Sequence, residues 1–162
     1  MRVVEGAATV ADTDDFVARL TDIGETHDCA VQAFDARLVV DRAHLETAVA
    51  RADRAFERGE NVARNRAVEI LLYAAGRRQI DRALEMGVAE GTGPVVAVVA
   101  GDDEAGAVAA VRSLLDPGTG LDATDERAVC EFFEVSDAER RASSAGLSAL
   151  VRERVALLDV EK

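Results

Sequence analysis

Lysine is almost absent from this sequence, which holds one lysine among 162 residues, against 18 arginines and 31 acidic side chains. The net charge of −12 therefore reflects an excess of acids that is spread along the whole chain. We interpret these acids as solvated surface that maintains solubility, in preference to a patch for a basic partner. An acidic chain rich in alanine and valine and nearly free of lysine is typical of a salt-loving microbe, which is the source we expect.

Long hydrophobic runs are absent as well. No stretch approaches the run of about 20 apolar residues that a membrane-spanning helix requires. An acid, Glu5, stands where the apolar centre of a signal peptide would be. We therefore expect a soluble, cytoplasmic protein with no membrane partner. In that compartment the two cysteines, Cys29 and Cys130, are expected to be reduced and buried.

Motifs for catalysis and metal binding are mostly missing. The sequence has no Cys-x-x-Cys, no His-x-x-x-His and no Gly-x-Ser-x-Gly, and its glycine-rich segments lack the lysine of a phosphate-binding loop. The two histidines, His27 and His44, are far apart, and we interpret His44 as structural. The acids at 102–104 could hold Mg²⁺, but a solvated helix start is the better interpretation in so acidic a chain. We expect no enzymatic activity, no cofactor and no metal.

Length and pattern predict one domain, residues 1–162, with a hydrophobic core. Strands are predicted at 1–8, 29–34 and 94–100, with a very short one at 38–40; the apolar run at 94–100 indicates a central strand buried on both faces. Helices are predicted between these strands and through the C-terminal third, with Thr13 and Thr124 as N-caps and Gly24 as the end of the first helix. The order is not strictly βαβ. We therefore predict an α+β fold, with a small central sheet, mostly antiparallel or mixed, covered by several helices.

The most distinctive stretch of the sequence is residues 69–88. Its apolar run suits a buried helix, and this helix is interrupted at Gly76. Three long hydrogen-bonding side chains, Arg77, Arg78 and Gln79, follow at once, before a second helical pattern begins at Ile80. The sequence thus predicts two short helices that meet at a glycine corner carrying two guanidinium groups. A corner built only for packing would not need them.

Charge is locally positive around this corner. Residues 51–82 hold eight arginines and five acids, a net charge of +3, so the remainder of the chain carries −15. For the arginines at 51, 54 and 58 we favour pairing with neighbouring acids on an exposed helix. Arg77 and Arg78 have no adjacent acid, and guanidinium groups bind phosphate and stack on bases. We therefore expect an anionic ligand at the corner.

Three further residues are added by charge and proximity to the corner. Arg64 and Arg66 extend the positive segment towards the corner. Tyr73, one helical turn before the corner, could offer an aromatic face to an unpaired nucleotide or belong to the core, and the sequence favours neither.

Residues 69–88 resemble the signature of the small kinase-binding subunit of the KEOPS complex, the TPRKB type, and residues 44–48 and 155–158 are also similar. The resemblance implies a non-catalytic, archaeal subunit that docks on the KEOPS kinase and contacts the other subunits indirectly. It also implies recruitment of tRNA by its single-stranded CCA end, for threonylcarbamoyl-adenosine modification next to the anticodon. The motif positions matched for tRNA binding are Arg77, Arg78, Gln79 and Ile80.

The C-terminal helix is our candidate for the kinase-facing surface, through Leu150, Val151, Val155 and Leu158. This apolar stripe is wide enough to leave residues over after core packing, although core packing is the expected role of any one of them. Two other functions stay open. The corner could bind a phosphate or carboxylate in a small-molecule-binding regulatory domain, or the chain could be a purely structural adaptor with both arginines in internal ion pairs.

Overall fold

The computed structural model describes residues 1–161, in which a three-stranded antiparallel sheet is covered by eight α-helices. The strands are β1 (Arg2–Val10), β2 (Cys29–Asp35) and β3 (Gly91–Gly101), in the spatial order β1-β3-β2. Val98 of β3, for example, pairs with both Val3 and Gln32. The predicted α+β class and the central position of the third strand are confirmed.

The helices mostly begin where the sequence places polar caps. In six of them a side-chain oxygen accepts a hydrogen bond from the amide three residues on; the capping residues are Asp12, Asp41, Asn65, Asp103, Asp125 and Ser136. The helices are α1 (Thr13–His27), α2 (Arg42–Arg58), α3 (Arg66–Ala75), α4 (Ile80–Ala83), α5 (Glu104–Leu114), α6 (Glu126–Phe133), α7 (Asp137–Ala142) and α8 (Leu147–Glu161). The predicted caps Thr13 and Thr124 are each wrong by one residue, because the neighbouring aspartate makes the bond: Asp12, which precedes Thr13, and Asp125, which follows Thr124.

The sheet separates two apolar layers. Alternate residues of β3, Val95, Ala97 and Val99, face α1 and α5. The others, Val96, Val98 and Ala100, face α2, α3, α6 and α8. Because successive strand residues point to opposite faces, β3 must be apolar throughout, which is why its sequence is a continuous apolar run.

Two local predictions are wrong. Residues Ala36–Leu38 form a 3₁₀ helix rather than the start of a strand, and the Asp35 carboxylate accepts a hydrogen bond from the Arg37 amide. The first helix does not end at Gly24 but continues to His27, where Asp28 takes the left-handed conformation. Gly24 has a packing role instead, since a Cβ there would lie 2.6 Å from the Cys29 carbonyl oxygen.

None of the helices in residues 1–161 is long and apolar enough to cross a membrane. Within the same residues, no three His, Cys, Asp or Glu side chains are placed to share a metal ion. Cys29 and Cys130 are free thiols, and both are only partly buried, whereas the sequence predicted buried thiols.

Candidate nucleic-acid interface

The glycine corner predicted from the sequence joins α3 to α4. Gly76 adopts φ +60°, and the amides of Gly76 and Arg77 donate to the carbonyls of Tyr73 and Leu72 at 3.0 and 3.1 Å. A Cβ at Gly76 would lie 3.3 Å from the Arg154 carbonyl oxygen of α8, so the corner approaches α8 closely. The chain therefore turns on a backbone that is fixed by α3 and supported by α8.

Arg77 is turned towards α6. Its guanidinium donates a hydrogen bond to the Phe132 carbonyl, lies 5.1 Å from the centroid of the Phe132 ring and approaches the Glu134 carboxylate to 3.9 Å. Only 22% of its side chain is exposed. Arg77 thus holds the corner against α6. The structural-adaptor hypothesis expects Arg77 to be in an internal ion pair, and its approach to Glu134 agrees with that expectation.

Arg78 points the other way, into solvent. Its guanidinium donates to the main-chain carbonyl of Glu161 at 3.2 Å, and no carboxylate within residues 1–161 forms an ion pair with it. Gln79 precedes α4 without capping it through its side chain, and Ile80 begins that helix. Both are exposed, and we name Arg78, Gln79 and Ile80 the corner strip.

The structure does not bring Arg64 and Arg66 to the corner. They lie at the opposite end of α3, a helix of ten residues and therefore roughly 15 Å long. The Arg66 guanidinium binds both Asp53 carboxylate oxygens, at 2.7 and 2.9 Å, and donates to the Ala100 carbonyl at 2.8 Å. The hydrogen bonds to Asp53 raise the pKa of Arg66. Arg66 therefore joins α2, α3 and β3, while Arg64 lies exposed on the preceding loop.

Glu69 is a structural residue of this region that our sequence analysis did not identify. It is fully buried, and its carboxylate accepts hydrogen bonds from the Val62 and Ala63 amides, the latter at 2.8 Å. It thereby holds the loop that carries Arg64 against the start of α3. The available signal was an acid directly before the apolar run of α3, where a buried carboxylate is expected only with hydrogen-bond partners.

Tyr73 is a core aromatic. Its ring is fully buried, and its hydroxyl hydrogen-bonds to the Asp159 carboxylate, which also binds Arg51. Burial, with the hydrogen bond to Asp159, raises the pKa of Tyr73 well above its usual range. Of the two roles that the sequence left open for Tyr73, its burial between α3 and α8 supports the role in the core.

The four candidate partner residues of α8, Leu150, Val151, Val155 and Leu158, are all buried in the core with α2 and α3. They cannot meet a partner while the domain is folded. The apolar residues that α8 offers to solvent are Leu157 and Val160, which are 44% and 80% exposed.

His44 has the structural role predicted for it. It is fully buried; its Nδ1 accepts a hydrogen bond from the Val40 amide at 3.3 Å, and its Nε2 donates to the Ala74 carbonyl at 2.7 Å. Burial lowers the pKa of His44 to about 4, so the imidazole is neutral at neutral pH. It ties the start of α2 to the end of α3, two residues before the corner.

No curated protein shows significant similarity to this chain. A sequence profile described as kinase binding protein CGI-121, however, matches residues 8–159, from near the end of β1 to the last turn of α8. The match includes the corner, the loop held by Glu69 and the helix that buries Tyr73. Because it covers nearly the whole sequence, the chain belongs to the family of kinase binding protein CGI-121.

Proposed function

We propose that this protein is a non-catalytic subunit of a KEOPS complex, which docks on the kinase subunit and recruits tRNA by its single-stranded CCA end. Membership of a kinase-binding family supports the kinase partner. The observation that carries the tRNA role is the exposed guanidinium of Arg78, with no carboxylate partner within residues 1–161, on a corner that Arg77 and Gly76 hold in place.

The corner strip offers three kinds of contact to an unpaired nucleotide. The Arg78 guanidinium suits a phosphate or the face of a base, and the Gln79 amide both donates to and accepts from base edges. Ile80 supplies apolar surface beside them. Because the backbone of the corner is already fixed, little additional ordering is needed when these side chains bind.

The acidic surface is compatible with tRNA binding if the protein works at high salt, as we propose for a halophilic archaeon. At molar salt the Debye length falls to about 3 Å, so acids remote from the corner are screened. Attraction between Arg78 and phosphate is weakened as well. Stacking, base hydrogen bonds and apolar contacts at the corner strip then supply much of the affinity.

For the kinase we propose the outward face of α8, where Leu157 and Val160 remain uncovered by the fold. This keeps the helix predicted from the sequence as the docking element but assigns the contact to its other face. Exposed apolar residues on an otherwise acidic surface are the kind of group that a protein partner covers.

The tRNA role is tested with Arg78→Glu, in a titration with intact tRNA and tRNA lacking its CCA end. We expect Arg78→Glu to weaken binding of intact tRNA at least tenfold, because it replaces an attraction at the contact with a repulsion. Arg19→Glu is the matched control: it makes the same charge change at an exposed position of α1, across the sheet from the corner. Equal losses from the two variants, or equal binding of the trimmed tRNA, would contradict end recognition at the corner.

A further inference from the structure

A second surface of the molecule, separate from the corner strip, has the properties of a binding groove. A cavity of about 920 Å³ follows β2, and its lining includes residues of β2 but none of β1 or β3. One wall is α1, with Phe16 and Leu20. The other wall consists of the start of α3 and residues 84–88. We name this cavity the β2 groove.

The floor of the β2 groove is a sheet edge. The order β1-β3-β2 gives β2 a single neighbouring strand, so alternate backbone amides and carbonyls of β2 point away from the sheet. The end of β2 is covered by an isolated bridge between Phe34 and Gly87. Residues 29–33 lie along the groove, a length of about 17 Å at roughly 3.4 Å per residue, which suits a short extended segment. The Ala33 carbonyl already accepts a hydrogen bond from Gln32 Nε2 at 2.9 Å, so a segment would pair with the other outward backbone groups of this stretch.

The walls of the β2 groove expose apolar side chains that the fold leaves uncovered. Val17 of α1 is 50% exposed and Leu84, on the opposite wall, is 57% exposed. They are two of the six large apolar residues exposed in the described part of the chain. An occupant between them would bury apolar surface on both sides at once.

The charged side chains that line the β2 groove are mostly acidic, which indicates what kind of molecule it can bind. Its lining includes four acids, Asp14, Asp22, Glu25 and Asp28, all exposed, and one arginine, Arg66, which is already bound by Asp53. Four carboxylates against one committed guanidinium disfavour a phosphate backbone. They favour lysine or arginine side chains on the occupant.

We propose that the β2 groove binds an extended segment of a partner protein, which alternates apolar and basic residues and pairs with β2 as a fourth strand. Backbone hydrogen bonds to residues 29–33 hold the segment in register. Its apolar side chains contact the walls at Val17 and Leu84, and its basic side chains meet the acids contributed by α1 and Asp28. This inference does not depend on the corner strip or on binding of tRNA.

The probe for the test is a labelled heptapeptide that alternates valine with lysine, added to the full-length protein. We expect saturable binding by fluorescence anisotropy, with slowed amide hydrogen exchange at residues 29–33. The same peptide with methylated backbone nitrogens keeps its charge but cannot pair with a strand, so we expect it to bind at least tenfold more weakly. Equal binding of the two peptides would reduce the effect to non-specific charge attraction and overturn the proposal.

Two neutral substitutions locate the site. Val17→Ser with Leu84→Ser removes apolar contact without changing charge, and we expect about a tenfold loss of peptide affinity. Val160→Ser removes an exposed apolar side chain from α8 and is expected to leave peptide affinity unchanged. Equal losses from the two proteins would overturn the proposal. Slowed exchange at residues 29–33 caused by a CCA-ended oligonucleotide in place of the peptide would make the groove a nucleic-acid site and overturn it as well.

Discussion

His44 shows how one buried base couples this fold to pH. The Val40 amide donates to Nδ1, so that nitrogen has no room for a second proton while the hydrogen bond is intact. Nε2 carries the single proton and donates it to the Ala74 carbonyl. Protonation of Nδ1 would therefore break a link at the start of α2 and place an uncompensated charge in the core.

The pKa of His44, about 4 in the folded protein against 6.5 ordinarily, fixes the sign of the effect. The unfolded chain binds more protons between these values, so the free energy of unfolding falls as pH drops through that window and is unaffected above it. We expect a contribution of roughly 2 kcal/mol lost between pH 7.5 and pH 5. Urea unfolding at both pH values should show it in the native protein.

The control is His44→Gln, which cannot titrate. It is less stable at both pH values because the buried hydrogen bonds change, but it should lack this component of the pH dependence. Carboxylates whose pKa is lowered by folding, such as Glu139 beside Arg154, act equally in both proteins. An identical loss of stability in the two proteins would refute the assignment to His44.

Gly24 in α1 allows the helix to pack closely against β2. Gly24 lies inside the helix, and a Cβ there would meet the Cys29 carbonyl at 2.6 Å, where the backbone cannot withdraw easily. Alanine is intrinsically favoured over glycine in a helix by about 1 kcal/mol, but the overlap with β2 is expected to outweigh this gain. We predict that Gly24→Ala lowers the free energy of unfolding by about 2 kcal/mol.

Gly93→Ala is the comparison for this prediction, because a Cβ at Gly93 in β3 has no atom within 4 Å. We expect it to change stability by less than about 0.5 kcal/mol in the same denaturant titration. If Gly24→Ala were as stable as the native protein, α1 could not approach β2 as closely as described.

The outward face of α8 can be tested directly as the proposed docking surface for the kinase. Leu157→Asp combined with Val160→Asp should abolish co-purification with the KEOPS kinase, because charge on both residues prevents burial of this face. The circular dichroism spectrum should be unchanged, because both side chains are exposed. Ala109→Asp, at an exposed apolar position of α5 outside both proposed surfaces, is the control and should retain the kinase. Retention by the α8 variant would exclude this face as the docking surface.

For the whole molecule, the net charge of −12 predicts stabilisation by salt. Repulsion among the acids opposes the compact state at low ionic strength, and screening removes it as the Debye length falls from about 10 Å at 0.1 M to about 3 Å at 1 M. We expect the thermal midpoint to rise by several degrees between 0.1 and 2 M KCl. The ion pairs, such as Arg66 with Asp53, are weakened by the same screening, so a falling midpoint would mean that attraction dominates.

At the level of elements, most of the fold could be predicted. The apolar run of β3 and the glycine that ends α3 are local patterns with one favourable structure each. The errors have two kinds of cause, a tertiary contact and a side-chain hydrogen bond within a few residues. Gly24 looks like a helix end until β2 is placed against it, and residues 38–40 look like a strand until the Asp35 side chain turns the chain at Arg37.

The corner itself was predictable from the sequence, because Gly76 interrupts an apolar helix and three polar side chains follow it. The roles of those side chains were not. Arg77 and Arg78 are neighbours in the chain with identical chemistry, yet one binds Phe132 of α6 and the other reaches solvent beside the end of α8. Nothing in the local sequence separates them, because the difference lies in which element covers each one.

The sequence by itself determined the secondary structure, the central strand and the corner, since capping, periodicity and backbone conformation act between residues close in the chain. Only the tertiary structure decided that Tyr73 and the apolar stripe of α8 are core, that Arg78 is the exposed guanidinium, and that an acidic groove follows the edge of β2. Exposure is a property of the surfaces that meet, and helices far apart in the chain supply those surfaces here.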